Sequence, residues 1–260
     1  MPLSVDPHWQ LPPGVSRGSW EYMHSPDIAY DYDEFFAYNR LFELDEQELA
    51  RYLPQSGLVA DLGCGTGRAL LPLVRRGMRG LAIDLSAEML SIVQEKAEIE
   101  DLPITGMMAN LVELDCLATD SIDHAICMFS TLGMIRGQDF RREALRHIRR
   151  ILRTDGRFVL HVHNYWYNLY DPGGPWWLIK NLFRSILVGD IERGDKYFPY
   201  RGIPNMYLHV FTLGELKREL RTVGFQVQEI IPLDAKRMGR LRYPWWLGRL
   251  RANGWICVCQ

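Results

Sequence analysis

An apolar stretch, Val59-Ala60-Asp61-Leu62, runs into Gly63-Cys64-Gly65-Thr66-Gly67, with glycine at every second position, and a helix-forming segment follows. Seventeen residues beyond Gly67, a second apolar stretch, Gly80-Leu81-Ala82-Ile83, ends on Asp84. Glycine lets a backbone take positive φ and approach a ligand closely. A carboxylate at the tip of the next strand of a doubly wound sheet can accept hydrogen bonds from both ribose hydroxyls. The pair reads as a nucleoside site. It commits the chain to a strand–loop–helix–strand unit in a parallel sheet.

The spacing excludes the commonest rival. A dinucleotide fingerprint needs G-x-G-x-x-G or a final alanine. Counted from Gly63, its last position falls on Arg68; counted from Gly65, it falls on Leu70. Neither is small enough for the close helix–strand contact of that fingerprint. A phosphate loop ending in Gly-Lys-Ser/Thr is also absent from the sequence.

The run D-x-G-x-G-x-G, Asp61 to Gly67, resembles motif I of the class I S-adenosylmethionine-dependent methyltransferases, with Asp84 as the ribose-binding acid. The resemblance extends from about Tyr30 to His163 and resumes near Thr212. It implies an α/β fold: a doubly wound, mostly parallel, seven-stranded Rossmann-like sheet with a reversed last strand. It implies S-adenosyl-L-methionine as cofactor. The residues it would place there are Asp61, Gly63, Cys64, Gly65 and Gly67, then Asp84 and Leu85, Asn110 and Leu111, and Phe129 with Ser130. The family usually carries an acid where Asn110 stands. Asparagine keeps a donor and an acceptor for adenine but not the charge. In-line methyl displacement needs two reactants held at near-attack distance with water excluded. No metal is required, and no metal ligand is assigned.

The strand–helix rhythm agrees. Strands are expected at 58–62, 80–84, 104–109, 122–129 and 157–163, with helices at 67–75, 86–98 and 138–152 between them. Ser86 is placed to cap its helix. Thr212-x-x-Glu215 is a capping box. After Gly224, strands 225–233 and 255–259 follow without a helix between them and should pair antiparallel. Residues 27–52 read as a helix leading into the core, with Tyr30, Tyr32 and Phe36 as candidate covers of the cofactor. Residues 1–26 hold five prolines and read as an extended arm. The expected organisation is one domain: arm and leading helix 1–56, cofactor core 57–163, insertion 164–206, and closing helix and strand pair 207–260.

Composition bounds the rest. Hydrophobic residues make up 47% of the 260, enough for a full core. The first ten residues have neither a basic head nor an apolar run, so no signal peptide is expected. No stretch reaches the roughly 18 apolar residues of a spanning helix. The expected location is the cytoplasm. Five cysteines fit a reducing compartment, with Cys257 and Cys259 as buried strand thiols.

The net charge of −2 hides a division. Residues 1–135 carry 21 acids and 8 bases; residues 136–260 carry 11 acids and 22 bases. A basic half raises the case for an anionic partner. Two segments outside the minimal pattern, 164–206 and 232–254, are rich in Trp and Tyr. Loops above the carboxyl ends of a parallel sheet are where ligands bind. His161 and His163 end a strand on one face, and His163 is best placed to accept a proton from an oxygen or nitrogen nucleophile.

Residues 174–188 read as an amphipathic helix, with Lys180, Asn181 and Arg184 on its polar side. As a lid it would shield an apolar pocket. As a surface helix it could sit in a membrane interface. With the tryptophans near Pro244 it could stack bases. The acceptor is first read as a small, partly apolar molecule. RNA, transfer RNA above all, is the second reading. A binding module without catalysis is the third.

Overall fold

The computed structural model describes residues 11–36 and 41–260, without the side chains of 41 and 42. Part of the expected leading helix therefore lies outside the described residues. What is described is broken into pieces: α1 (Arg17–Met23), α2 (Pro26–Tyr30), α3 (Tyr32–Phe36) and α4 (Leu41–Tyr52). The extended arm is corrected at α1. Ser16 caps that helix by accepting from Ser19 N at 3.1 Å, and the proline-rich flanks hid the signal.

The core follows the expected rhythm. β1 (Leu58–Leu62) is followed by α5 (Leu70–Arg75), β2 (Arg79–Asp84) and α6 (Ala87–Ile99). Next come β3 (Ile104–Met108), β4 (Ile122–Cys127), α7 (Thr131–Met134), α8 (Gln138–Ile151) and β5 (Leu152–His163). Ser86 caps α6 through Met89 N at 3.3 Å, as its position predicts. α5 starts later than expected because Gly67 still lies in the left-handed turn.

The chain then leaves the core. A 3₁₀ turn (Tyr165–Tyr170) leads to α9 (Gly174–Leu187), β6 (Asp195–Tyr200) and β7 (Ile203–His209). It returns as α10 (Leu213–Thr222), β8 (Val227–Pro232), α11 (Gly248–Arg251) and β9 (Gly254–Cys259).

The seven-stranded sheet has the order β3-β2-β1-β4-β5-β9-β8. β1 to β5 are parallel, and β9 runs against both β5 and β8. Side chains alternate between two buried layers, as a strand period of two requires. Val59, Ile126, Val159 and Ile256 pack beneath α4, α5 and α6. Ala60, Leu62, Ala125 and Phe158 face α8 and α10.

The β6–β7 hairpin is a separate two-stranded sheet that the sequence reading did not anticipate. Its turn is Arg201-Gly202, with φ of +46° and +84°. Two successive positive φ values match the right-handed twist of a hairpin. α1 packs on β7 so tightly that Gly18 lies against the Asn205 carbonyl, where a Cβ would collide.

A buried charge cluster ties this hairpin to the sheet. His209 Nδ1 lies 2.9 Å from Asp195 Oδ1 and its Nε2 lies 2.9 Å from Glu215 Oε1. Tyr207 donates its hydroxyl to Asp195 at 2.7 Å. Arg141 of α8, wholly buried, pairs with Glu192 and lies 3.8 Å from Glu219. Glu215 also completes the capping box of α10 with Thr212. With a carboxylate on each nitrogen, the imidazole donates from both and is cationic. Burial pulls its pKa down, but the bonds to Asp195 and Glu215 outweigh burial and hold it above 6.5. Burial lifts the Asp195 and Glu215 carboxyls, yet their bonds to His209 bring both below their ordinary values. Burial leaves Glu219 raised despite Arg141.

These directions fix a pH dependence. His209 stabilises the fold fully below its ordinary value of 6.5, and that contribution is lost as pH rises through its higher folded value. Asp195 and Glu215 stabilise above their ordinary values, and that is lost as pH falls. Glu219 opposes them, since its ionised form is disfavoured in the fold. Urea unfolding should show stability declining as pH rises above 6.5. His209→Gln should cost about 3–5 kcal/mol in mild acid, because it strands buried carboxylates, and should make that decline shallower. Parallel pH profiles for the two proteins would show that His209 is neutral in the fold.

Candidate active site

Four strand tips on one edge of the sheet build the site. β1 delivers Asp61 and the glycine loop. β2 delivers Asp84. β4 ends just before Phe129, and β5 ends on His163. The loop is held to β2 by Gly63 N and Cys64 N, which both donate to the Ile83 carbonyl at 2.8 and 3.0 Å. Gly63 has φ +78°, and a Cβ there would collide with Thr131. Gly65 has φ +51° and faces open space. Its N–H donates to Asp84 Oδ2 at 2.8 Å, while Ser86 N donates to Asp84 Oδ1 at 2.9 Å. Glycine is therefore needed at 63 for close packing and at 65 for conformation.

These tips open on one cavity of about 700 Å³. Asp61, Gly63, Cys64, Gly65, Asp84, Leu85, Asn110, Leu111 and Phe129 all line it, as does His163. Two expected residues do not. Gly67 turns away and packs against Val93. Ser130 is fully buried behind the wall, where its hydroxyl accepts from His163 N at 3.2 Å and its N–H donates to the His161 carbonyl at 2.8 Å. It positions the end of β5 and is corrected from a cofactor contact to a strand tie. Tyr32 and Phe36 line the cavity, whereas Tyr30 is 79% exposed and covers nothing.

Asp61 is almost fully buried, and its Oδ2 has no hydrogen-bond partner among the described residues. Burial, then the charge of Asp84, pushes its pKa up to about 8. An unsatisfied carboxyl in a cavity wall is costly unless a donor arrives. Burial raises Asp84 too, against three backbone donors. Burial, then Asp84 and Asp61, push the Cys64 thiol well above its usual range, so it is an inert wall. Asn110 is less available than its sequence position implies. Its amide nitrogen donates to the Pro13 carbonyl at 2.9 Å and to Glu113 at 3.2 Å, and its oxygen accepts from Val112 N. It clasps the N-terminal arm against the cavity.

Phe129 and Ser130 have φ of +55° and +69°. Left-handed backbone in such residues costs roughly 1–3 kcal/mol each. The turn aims the Phe129 ring into the cavity, edge-on to Phe36 at 5.4 Å and to His163 at 6.3 Å. Arg68 was singled out in the sequence only as a residue too large for a dinucleotide loop. Its guanidinium stands 5.4–5.7 Å from the ring centres of Tyr32, Phe36 and Phe129. The three rings therefore offer their faces to a cation.

The same cavity is also bordered by His163, Asn164, Tyr167, Asn168, Lys196 and Arg237. His163 Nδ1 is buried without a hydrogen-bond partner among the described residues. Burial, then the charges of Arg237, His161 and Lys196, hold its pKa well below 6.5. It is neutral at physiological pH. Lys196 donates to Asn168 at 2.6 Å and to Asp171 at 3.2 Å. Tyr167, Asn168, Lys196 and Arg237 come from the two aromatic-rich segments, where sequence spacing alone could not rank individual residues.

One further cluster could hold a metal by proximity: Glu192, Asp195 and His209. Its imidazole nitrogens and carboxylates are already engaged with one another, with Tyr207 and with Arg141. The sequence spacing gave no hint of it, because 192 and 209 meet only through the hairpin.

Comparison with known proteins converges on this geometry. Residues 59–156 match the family model for a methyltransferase domain. A relative from Geobacillus sp. (strain WCH70), whose name assigns it to the methyltransferases, is 29% identical over 141 residues, which is 53% of this chain and 56% of the relative. The chain thus spans about half the length of the curated relatives it matches. A carboxy-S-adenosyl-L-methionine synthase of Campylobacter jejuni is 35% identical over 85 residues, 32% of this chain and 36% of its own.

Among solved structures, a SAM-dependent methyltransferase from Methanosarcina mazei superposes with TM-score 0.64 at 19% identity, over 82% of this chain and 96% of that one. The 1,6-didemethyltoxoflavin-N1-methyltransferase of Burkholderia thailandensis, solved with S-adenosylhomocysteine, superposes with TM-score 0.60 at 18% identity, over 90% and 83%. Glycine loop, strand-tip acids and sheet order give the chain the fold of these solved methyltransferases, and residues 59–156 match the model of a methyltransferase domain.

Proposed function

We propose that this chain transfers the methyl group of S-adenosylmethionine to a small, partly apolar acceptor bearing an O–H or N–H group. The observation that carries the reading is the single cavity that runs from Asp61 and Asp84 past Phe129 to His163. Its size falls within the range of small-molecule pockets. Helix α1 and the β6–β7 hairpin roof it, which favours a small acceptor over a polymer. Lining by His163, Lys196 and Arg237 in the same cavity as Asp61 and Asp84 favours an enzyme over a module that only binds.

The residues fit the cofactor. Asp84 is placed for the ribose hydroxyls. The unsatisfied Asp61 oxygen matches an ammonium group. The rings of Tyr32, Phe36 and Phe129, packed around Arg68, give the cofactor an apolar wall. When bound, S-adenosylmethionine supplies an electrophilic methyl whose bonding pair stays with sulfur. The protein's part is to orient, to exclude water and to receive a proton. Phe129 stands between Phe36 and His163, between the cofactor's place and the acceptor's. His163, neutral and lining the cavity, takes the proton that the acceptor loses. Tyr167 borders the acceptor, and Lys196 and Arg237 favour one that becomes anionic as it reacts.

S-adenosylhomocysteine should bind and raise the Tm, because a ligand of the native state stabilises it by mass action. Asp84→Ala should weaken that binding by about 1.5–3 kcal/mol, the scale of hydrogen bonds to a charged group. Asp61 is mostly protonated in the empty cavity at pH 7, since its pKa is about 8. Binding an ammonium beside it should therefore release a proton. Calorimetry at pH 7 in buffers of different ionisation heat should detect that release, and Asp61→Asn should abolish it. Tight binding of NAD with no binding of S-adenosylhomocysteine would sink the cofactor assignment.

His163→Ala should lower turnover by about 10²–10⁴ with cofactor affinity nearly unchanged. A fall of less than about threefold, below any general-base contribution, would leave His163 a wall residue and positioning the whole of the chemistry. The acceptor itself can be sought with labelled cofactor and a metabolite panel, beside bulk transfer RNA as the competing substrate.

A further inference from the structure

Helix α9 is amphipathic with its apolar side turned outward. It rests on the body through Gly174, Leu178 and Asn181, one stripe at i, i+4 and i+7. The sequence reading put Asn181 on the polar outer side. The structure instead buries it, where it donates to the Asp195 carbonyl at 3.0 Å and accepts from Gly194 N at 2.9 Å. The far side of the helix shows Trp176, Ile179, Phe183 and Ile186 to solvent, each 47–72% exposed. Lys180 and Arg184 border that stripe.

The apolar face continues beyond the helix. The 3₁₀ turn packs between α9 and α11 and exposes Trp166. Beside α11, Trp245 is 81% exposed and Trp246 is 56% exposed. That second segment is built, not loose. The Arg251 guanidinium donates to the Trp246 carbonyl at 3.0 Å and stands 4.9 Å from the Trp246 ring centre. Arg242 and Arg249 are exposed beside it. No Asp or Glu occurs in residues 172–189 or in residues 235–260.

Scattered surface apolar residues are ordinary. A contiguous face of them marks an interaction site. Its chemistry selects the occupant. Aromatic and aliphatic groups edged by Lys180, Arg184, Arg242 and Arg249, with the marginal acid Asp171 already paired with Lys196, match an apolar layer beneath an anionic surface. Isoleucine and leucine provide no platform for stacked bases, which disfavours RNA. We propose that α9, the 3₁₀ turn and the Trp245–Trp246 segment form one face that seats this protein on an anionic lipid bilayer. The side chains enter only the interface, since among the described residues no helix is long and apolar enough to cross a membrane. The cavity reaches Asp171 and Lys236, both exposed beside this face. Lipid binding is read without cofactor or turnover, so its failure would leave the methyl-transfer reading standing.

Vesicle sedimentation of the full chain tests the proposal. Vesicles of phosphatidylcholine are compared with vesicles holding about one quarter phosphatidylglycerol, and the anionic set should bind at least about tenfold more protein. The exposed-face variant W176S/F183S/I186S should lose that binding with an unchanged Tm. K180E/R184E should lower it by about tenfold, and added salt should weaken binding of the wild type. Absence of wild-type binding to anionic vesicles would overturn the proposal, and so would equal binding by W176S/F183S/I186S. Retention of bulk transfer RNA, or concentration-dependent dimerisation, in a protein that ignores vesicles would overturn it in favour of that partner.

Discussion

Everything in this molecule hangs on the place where strand order reverses. β1 has β2 on one side and β4 on the other, and the chain reaches β4 only after building β3 at the far edge. Connections on the two sides of that point cover opposite faces of the sheet, so a crevice opens above the strand tips. Nothing in the backbone can fill it, because each neighbouring loop is leaving in a different direction. Asp61, Asp84, Phe129 and His163 are all placed by that one topological fact. Asp61, Asp84 and His163 bring polar groups to the wall of that crevice.

The insertion turns the crevice into a chamber. A hairpin over a sheet edge has little apolar area of its own, so it needs another anchor. Buried charge supplies it here. Arg141 of α8 and His209 of β7 stand among Asp195 of β6, Glu192 of the loop before it, and Glu215 and Glu219 of α10. A charge cluster of this kind is a weak source of net stability compared with packed apolar groups. It is strict about geometry, because each partner must arrive together or leave a stranded charge.

The sequence disclosed the sheet almost completely. Alternation along Val59 to Leu62 and the caps at Ser86 and Thr212 act through near neighbours, and near neighbours can be read; β8 and β9 pair antiparallel as expected, but α11 stands between them where no helix was expected. The glycine loop and Asp84 were legible for the same reason, each having one local geometric demand. What was hidden depends on distant partners. Asn110 offered an amide for adenine, but Pro13, far away in the chain, claims it. Ser130 sat at the right strand tip, yet its left-handed backbone turns the hydroxyl to His163 N. Arg68 looked merely too large. It becomes a cavity cation only once Tyr32, Phe36 and Phe129 converge. Asn181 looked polar and therefore exposed, while the hairpin it supports needed a buried amide.

The clasp between Asn110 and Pro13 has a temporal meaning as well as a structural one. Gly14 and Val15 form part of the chamber wall. They are fastened by the Asn110 amide and by Arg136 N, which donates to the Gly14 carbonyl at 2.7 Å. A molecule passing that wall must first undo two hydrogen bonds. Asn110, which itself lines the chamber, is thus both latch and lining, so a change there would act on the closure of the wall and on the surface a ligand meets.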